Sequence, residues 1–172
     1  MEITDSEVKY INGYIDELNK IEKRDSDHIT KAGTYTLDGV QAVAYTRIRY
    51  TAGGDYKRAE RQRTILLKIF EKAKTLESDQ LLDLADKFLD EISTNYHSDD
   101  VTEILYYLAK YDIVDTKAFP TSLWGGKIDG VWYGVPVTLE SNAKELHEFL
   151  YPKEDYEPSD TVEEISNRIR QV

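Results

Sequence analysis

Residues 46–63 read TRIRYTAGGDYKRAERQR, and this stretch decides how the middle of the chain folds. Its first five residues alternate in character, which is typical of a half-buried strand, so Arg47 and Arg49 are predicted to project from the same side. Two glycines then break the pattern. Asp55 suits the N-cap of a helix predicted over residues 56–76. The spacing therefore predicts a strand, a glycine turn and a long helix in succession.

The same stretch concentrates groups that bind anions. On the predicted helix, Arg58, Arg61 and Gln62 fall at positions i, i+3 and i+4 and so share one face that begins at the helix N-terminus. A guanidinium group pairs with phosphate through two parallel hydrogen bonds and stays charged at physiological pH. The helix N-terminus adds backbone donors and a positive dipole end. Together with Arg47 and Arg49, these side chains predict a site for a phosphate or pyrophosphate group.

The charge distribution favours a specific anion over a general polyanion. The 172-residue chain has a formal net charge of −11, yet residues 47–74 hold nine basic and three acidic side chains, so the rest carries −17. An acidic chain disfavours non-specific binding to nucleic acid or to an anionic membrane, and we expect no nucleic-acid partner. A solvated, charged helix face is the plain alternative. A regulator that binds nucleic acid through the basic helix is a more remote one.

Several of these residues also have a purely structural interpretation. Asp55 can be a plain N-cap and ion-pair partner, or it can hold a divalent cation or orient a nucleophile beside the phosphates. Gln62 can be solvated or can hydrogen-bond the anion, and Arg61 and Arg63 can lie outside the site. The histidines, which show no metal-ligand spacing and fit surface or packing roles, are His28, His97 and His147.

The composition fits a globular domain and excludes several chemistries. Hydrophobic residues make up 40% and charged residues 32% of the chain, which argues against wholesale disorder. The chain has no cysteine, which excludes disulfides, thiolate metal sites and a cysteine nucleophile. It contains no apolar run of about 18 residues and no secretory leader. We therefore expect any anchor or signal to belong to a preceding part of a longer protein.

Periodicity and capping signals outside this stretch predict more helix than strand. Thr4 and Glu7 form a capping box before a helix that runs to about Lys23. The order of elements predicts a mixed α/β domain over residues 1–172, in which residues 151–172 form a loop and a short helix. Further helices are predicted from Ser78, from Asp100 and over 139–150 and 161–170, and strands over 113–119 and 131–135.

Residues 33–63 closely resemble the LytR-CpsA-Psr family. That family shows the pattern Leu-x-Gly-x-x-Ala-Leu-x-Tyr-x-Arg-x-Arg followed by Asp-x-x-Arg-x-x-Arg-Gln, which here starts at Leu37 and ends at Gln62. The flanks agree as well, in residues 3–15, in the run WYGVP over residues 132–136 and in Glu140-x-Asn142. The resemblance therefore covers most of the chain.

The resemblance implies an α/β/α sandwich and a membrane-anchored enzyme on the outer face of Gram-positive-type cells. Such enzymes transfer a glycopolymer, for example teichoic acid or capsular polysaccharide, from a polyprenyl-pyrophosphate carrier onto peptidoglycan, with Mg²⁺ or Mn²⁺ as cofactor. By motif position, Arg47, Arg49, Arg58 and Arg61 are expected to bind pyrophosphate and Gln62 to contact a phosphate. Asp55 and Arg58 are expected to be the catalytic residues.

The matching pattern corresponds to the C-terminal part of the family domain. We therefore expect further strands, the metal-binding carboxylates, another arginine and the membrane anchor in a preceding N-terminal part. We therefore expect the longer protein to perform the transfer, and this chain by itself to bind the anion without transferring the polymer. A non-catalytic module that holds pyrophosphate or a phosphoglycolipid is the alternative.

Overall fold

The structure of the chain, a computed structural model, describes residues 1–89, 91, 93–108 and 110–171. The chain divides into two compact units, Met1–Ile113 (unit 1) and Val114–Val172 (unit 2). Each unit combines helices with a two-stranded antiparallel sheet, which confirms the predicted mixed α/β class. The assignment of residues 1–172 to one domain and the sandwich arrangement around a larger sheet stay predictions.

The described chain contains more helix than strand, as the sequence predicts. Unit 1 comprises β1 (Glu2–Ile3), α1 (Asp5–Glu22), β2 (Gly33–Thr34), α2 (Gly39–Arg47), α3 (Gly54–Ala73), α4 (Ser78–Leu89) and α5 (Ser98–Leu108). Unit 2 comprises β3 (Leu123–Ile128), β4 (Val131–Pro136), α6 (Leu139–Leu150) and α7 (Asp160–Ile169). Helices α1 and α6 and the short C-terminal helix α7 lie where the sequence predicts them, to within one or two residues.

The core of unit 1 forms where α2 packs against α1 on one side and against α3 on another. Helix α1 contributes Ile11 and Ile15, both fully buried, one helical turn apart. Each such isoleucine contributes about 1.5–3 kcal/mol by leaving water. The complete buried cluster consists of Ile3, Ile11, Ile15, Ile29, Ala44, Tyr45 and Ile48.

The strand predicted over residues 46–50 is wrong, because α2 extends to Arg47. This helix begins with a capping box in which Asp38 Oδ1 accepts from the Gln41 N–H (2.8 Å) and Gln41 Oε1 accepts from the Asp38 N–H (3.1 Å). Its buried side then follows helical spacing through Ala44 and Tyr45. This longer helical pattern overrides the five-residue alternation, and the chain becomes extended only at residue 48.

The N-cap of α3 is Gly53 rather than Asp55. Gly53 has φ 93° and Gly54 has φ 48°, left-handed conformations that glycine adopts without the cost that a Cβ atom brings. A Cβ on Gly53 would also lie 2.5 Å from the Lys57 Cγ. The glycine pair therefore makes the turn, and Asp55 occupies the first turn of α3 near the positive end of the helix dipole.

The predicted strand over residues 113–119, where unit 1 ends and unit 2 begins, is wrong. The turn-rich link that follows these residues contains a strand. Residues 113–119 adopt neither helix nor strand, whereas β3 pairs with β4 in a hairpin. Asp129 (φ 51°) and Gly130 (φ 82°) form the two-residue connection, which is the conformation that an Asp-Gly hairpin turn requires. The strand predicted over residues 131–135 is confirmed as β4.

Asn142 on α6 holds the base of this hairpin. The residue is completely buried, and its Oδ1 accepts from the N–H groups of Thr121 (2.7 Å) and Ser122 (3.0 Å). Its Nδ2 donates to the carbonyl oxygens of Ser122 (2.9 Å) and Thr138 (2.8 Å). A single side chain thus fixes the chain that enters β3 against the start of α6.

None of the helices in the described parts of the chain is long and apolar enough to cross a membrane.

Candidate functional site

Arg49, Asp55 and Arg58 come together at the start of α3, and we call them the Asp55 cluster. The Arg49 Nη2 donates to Asp55 Oδ2 at 3.0 Å, and the Arg58 Nη1 lies 3.3 Å from Asp55 Oδ1. All three side chains are between about a third and 58% exposed. Exposed pairs of this kind add little stability. Their effect is positional, because one carboxylate gathers two guanidinium groups whose other N–H donors remain available to an anion.

Arg47 has a different acidic partner. It ends α2, and its Nη2 donates to Glu17 Oε1 on α1 at 2.9 Å. Its guanidinium group also lies over the Tyr14 ring, 5.0 Å from the centroid, in a cation–π contact. The prediction that Arg47 and Arg49 share one side of a strand is wrong, since Arg47 is helical and Arg49 follows the helix end.

Arg61 lies in a buried network and not in the Asp55 cluster. It is 6% exposed, and its Nε donates to Glu7 Oε1 at 2.8 Å. The Nη1 donates to the Ile48 carbonyl oxygen (3.1 Å) and the Nη2 to the Thr51 hydroxyl (2.7 Å). All three guanidinium nitrogens therefore have protein partners. The role of Arg61 in binding pyrophosphate stays a prediction, and the geometry favours a positioning role, because two of its contacts bracket Arg49.

Glu7 is the acidic partner of this buried pair. Its Oε2 accepts from the Thr4 N–H (2.9 Å) and the Thr4 hydroxyl (2.8 Å). Burial raises the pKa of Glu7, but the hydrogen bonds from Thr4 and Arg61, with the charge of Arg61, outweigh burial and hold the pKa below its ordinary value. Burial and the charge of Glu7 raise the pKa of Tyr45, whose ring lies near Arg61. The Glu7–Arg61 pair thus stays charged at neutral pH.

Acidification is expected to test this pair directly. A carboxylate whose folded pKa is depressed stabilises the fold above its unfolded pKa, and it loses that contribution as the pH falls through the folded value. The unfolding free energy of unit 1 should therefore fall as the pH drops below about 4.5. Glu7→Gln should remove this part of the acid profile, and the exposed Glu2→Gln should not. Urea denaturation across this range measures it, and matching profiles for Glu7→Gln and the unaltered chain would contradict the prediction.

Gln62 is exposed on α3, one helical turn after Arg58. Glu7 also supports the site by pairing with Arg61, whereas the capping-box pattern predicts only its role as a cap. The signal was present in the spacing, since Glu7 lies one turn before Ile11 and two turns before Ile15 on the buried side of α1. Glu17 and Thr51, which hold Arg47 and Arg61, gave no comparable signal.

Within the described residues, no three His, Asp or Glu side chains come together in a way that could hold a metal ion. The carboxylate of Asp55 contacts guanidinium groups through both oxygens, and this positive surround repels a divalent cation. The described residues therefore do not make a Mg²⁺ or Mn²⁺ site by themselves.

The described site is thus an arginine cluster organised by one carboxylate, the class of site that suits phosphate groups. The chain belongs to the LytR_cpsA_psr family, whose model matches residues 7–148, and the resemblance found in the sequence is confirmed.

One relative is the polyisoprenyl-teichoic acid–peptidoglycan teichoic acid transferase TagU of Enterococcus faecalis (strain ATCC 700802 / V583), 36% identical to this chain over 74 residues. That match covers 42% of this chain and 24% of the relative. The matched part of the chain therefore spans about a quarter of the relative's length. No solved structure matches the chain.

Proposed function

We propose that the protein containing this chain is a cell-wall glycopolymer transferase. It moves a glycopolymer from a polyprenyl-pyrophosphate carrier onto peptidoglycan, at the outer face of the cell membrane. Family membership and the name of the relative from E. faecalis support the class of reaction. The observation that carries the proposal is the Asp55 cluster, in which Arg49 and Arg58 are gathered at a helix start.

In this proposal Arg49 and Arg58 bind the pyrophosphate of the carrier. A hydroxyl oxygen of peptidoglycan bonds to the phosphorus next to the glycopolymer, and its proton is released to water. The bond from that phosphorus to the polyprenyl phosphate breaks, and negative charge develops on the leaving phosphate. Two fixed guanidinium groups stabilise that charge more strongly in the transition state than in the bound substrate.

Asp55 fits an orienting role in this reaction. Both of its oxygens hold guanidinium groups, so the carboxylate fixes the direction in which Arg49 and Arg58 present their remaining donors. Gln62, exposed one turn after Arg58, extends the same face of α3 and can donate its amide to a phosphate. For the longer protein we also propose Mg²⁺ or Mn²⁺ as the cofactor, held by carboxylates outside this chain. No step above depends on that metal ion.

An apolar groove in unit 1 suits the carrier's isoprenoid chain. The groove has a volume of about 510 Å³ and lies between α2, α3 and the segment after β2. Val43, Ile65 and Ile69 contribute apolar surface, and Lys68 and Lys72 add positive charge. Thr46 lines it immediately before Arg47. Unit 1 thus offers two kinds of surface that match the carrier: the apolar groove suits its lipid tail, and the arginines of the Asp55 cluster suit its phosphates.

Titration of the 172-residue chain with inorganic pyrophosphate tests the anion site. Arg49→Ala and Arg58→Ala are each expected to weaken binding about tenfold or more, because each removes a charge-assisted hydrogen-bond donor. Lys57→Ala is the matched control, since Lys57 is also exposed on the first turns of α3 but pairs with Glu60 (2.7 Å). Isothermal calorimetry measures the affinities. Equal weakening by Lys57→Ala would reduce the site to general electrostatics and contradict the proposal.

Attachment of polymer in cells separates a transferase from a binding module. Arg58→Ala, introduced into the gene that encodes this chain, is expected to abolish attachment of glycopolymer to peptidoglycan while the protein is still produced and folded. If pyrophosphate binding is lost and attachment continues unchanged, the site binds phosphate without performing the transfer.

A further inference from the structure

The β3–β4 hairpin of unit 2 exposes both tryptophans of the chain. Trp124 on β3 is 41% exposed, and Trp132 on β4 is 55% exposed. Register and strand alternation place Trp124 and Tyr133 on one face of the hairpin and Trp132 on the other. Tyr133 is 47% exposed. Large aromatic side chains that remain this accessible are candidates for contact with a ligand.

Glycines allow the indoles to lie against the strands. Gly126 follows Trp124 on the same face, and a Cβ atom there would collide with the Trp124 ring. On the opposite face, a Cβ on Gly125 would lie 2.6 Å from the Trp132 ring. Gly126 is the cross-strand partner of Tyr133. The Trp124 indole therefore covers the backbone beside Tyr133, and its other side faces solvent.

The hairpin is held in place from its base. Asn142 fixes the residues that precede β3. Val135, the cross-strand partner of Trp124, is only 8% exposed, so β4 is packed against the unit at this end. The Asp129–Gly130 turn closes the other end. The two neighbouring aromatic rings are thus presented on an ordered strand pair, which lowers the entropy cost of binding a ligand to them.

Charge narrows the class of ligand. Residues 114–172 contain eleven acidic and six basic side chains, so this unit repels a polyanion or an anionic lipid surface. A pyranose ring of a neutral sugar offers an apolar C–H face that stacks on an aromatic ring, and hydroxyl and amide groups at its edge that bind exposed polar groups. Neutral glycan strands therefore match this surface better than a phosphate-rich polymer does.

We propose that Trp124 and Tyr133 form a stacking surface for a neutral glycan strand of N-acetylated hexosamines, the chemistry of the peptidoglycan acceptor. This inference rests on the proposed function, in which peptidoglycan receives the polymer. It assigns the acceptor to unit 2, whereas the pyrophosphate donor belongs to the Asp55 cluster in unit 1. Gly125 and Gly126 act as positioning residues, because they leave room for the indoles.

Intrinsic fluorescence tests this assignment, since the chain has two tryptophans and both lie on the hairpin. In the full chain with Trp132→Phe, Trp124 is the sole indole. Titration with a soluble N-acetylglucosamine oligomer is expected to give a saturable change in its emission. Tyr133→Ala should weaken the affinity about tenfold, and Tyr96→Ala, which removes another exposed tyrosine, should leave it unchanged. Circular dichroism confirms that each variant is folded.

The outcomes separate this inference from the proposed function. No saturable response to the neutral oligomer, or equal affinity in Tyr133→Ala, would overturn the inference, as would a response confined to phosphatidylglycerol vesicles. Trp124→Phe checks the indole itself through pull-down on insoluble peptidoglycan and should reduce retention. Arg49→Ala and Arg58→Ala should leave the glycan response intact. If the unaltered chain does not bind pyrophosphate but still responds to the glycan oligomer, the proposed donor site is wrong and the proposed stacking surface is still supported.

Discussion

Arg61→Met is expected to lower the free energy of unfolding of unit 1 by about 3–5 kcal/mol, the usual cost of breaking a buried ion pair by removing one partner. Arg61 and Glu7 have side chains that are 7% and 9% exposed. The substitution leaves the Glu7 carboxylate without its cation. It also removes the donors to the Ile48 carbonyl and the Thr51 hydroxyl. Urea denaturation followed by circular dichroism measures the loss.

Two comparisons isolate the pair from general effects of arginine. Arg63→Met changes a neighbouring, less buried residue of α3 and should cost less than about 1 kcal/mol. Glu7→Leu should cost at least as much as Arg61→Met, because a guanidinium group cannot neutralise itself by losing a proton, whereas Glu7 can gain one. Similar small losses for Arg61→Met and Arg63→Met would show that the buried network does not support unit 1.

Asn142→Leu is expected to destabilise unit 2 by about 3 kcal/mol, because it leaves the N–H groups of Thr121 and Ser122 without their acceptor. It also removes one of the donors to the Ser122 and Thr138 carbonyl oxygens. Leucine has the same number and branching of side-chain heavy atoms as asparagine but no polar atom, so the change removes the hydrogen bonds and keeps the branched shape. Tryptophan fluorescence during urea denaturation reports the loss, since both tryptophans lie on the hairpin that Asn142 anchors.

Asn142→Asp and Asn167→Leu complete this series. Aspartate still accepts from the N–H groups of Thr121 and Ser122, but it cannot donate to the Ser122 and Thr138 carbonyl oxygens. Asn142→Asp should therefore also lower the free energy of unfolding of unit 2. Asn167 is exposed on α7, and Asn167→Leu should leave the midpoint nearly unchanged. An Asn142→Leu midpoint equal to that of the unaltered chain would contradict the anchoring role.

Long periodic segments were predicted well from the sequence. Helix α1 combines a capping box with apolar residues at helical spacing, so several signals agree over five turns. The stretch 46–50 was predicted as a strand, because five alternating residues cannot reveal that a capping box at Asp38 has already set a helix in progress. Strand β3 was missed for a related reason. Gly125 and Gly126 are typical of turns, and only the indoles that cover them explain glycine in a strand.

The candidate site residues were identifiable as a set, but their grouping was not. Spacing indicates that arginines concentrate in residues 47–61, and the structure gathers Arg49 and Arg58 around Asp55. It pairs Arg47 with Glu17 and buries Arg61 against Glu7. Arg47 and Arg61 are drawn away from the Asp55 cluster by the acidic side chains of α1 that lie close to them in space. Sequence periodicity alone does not determine such contacts between helices that are far apart along the chain.

The Glu7–Arg61 pair joins residues that are 54 positions apart, and this has a thermodynamic consequence. The first turn of α1 and the loop that carries Arg49 are ordered through the same side chain. If the first turn of α1 strengthens anion binding by some coupling free energy, then an anion that orders the loop stabilises that turn by the same amount, because linkage is reciprocal. Slower amide hydrogen exchange at residues 4–8 would therefore accompany occupancy of a site to which those residues contribute no ligand.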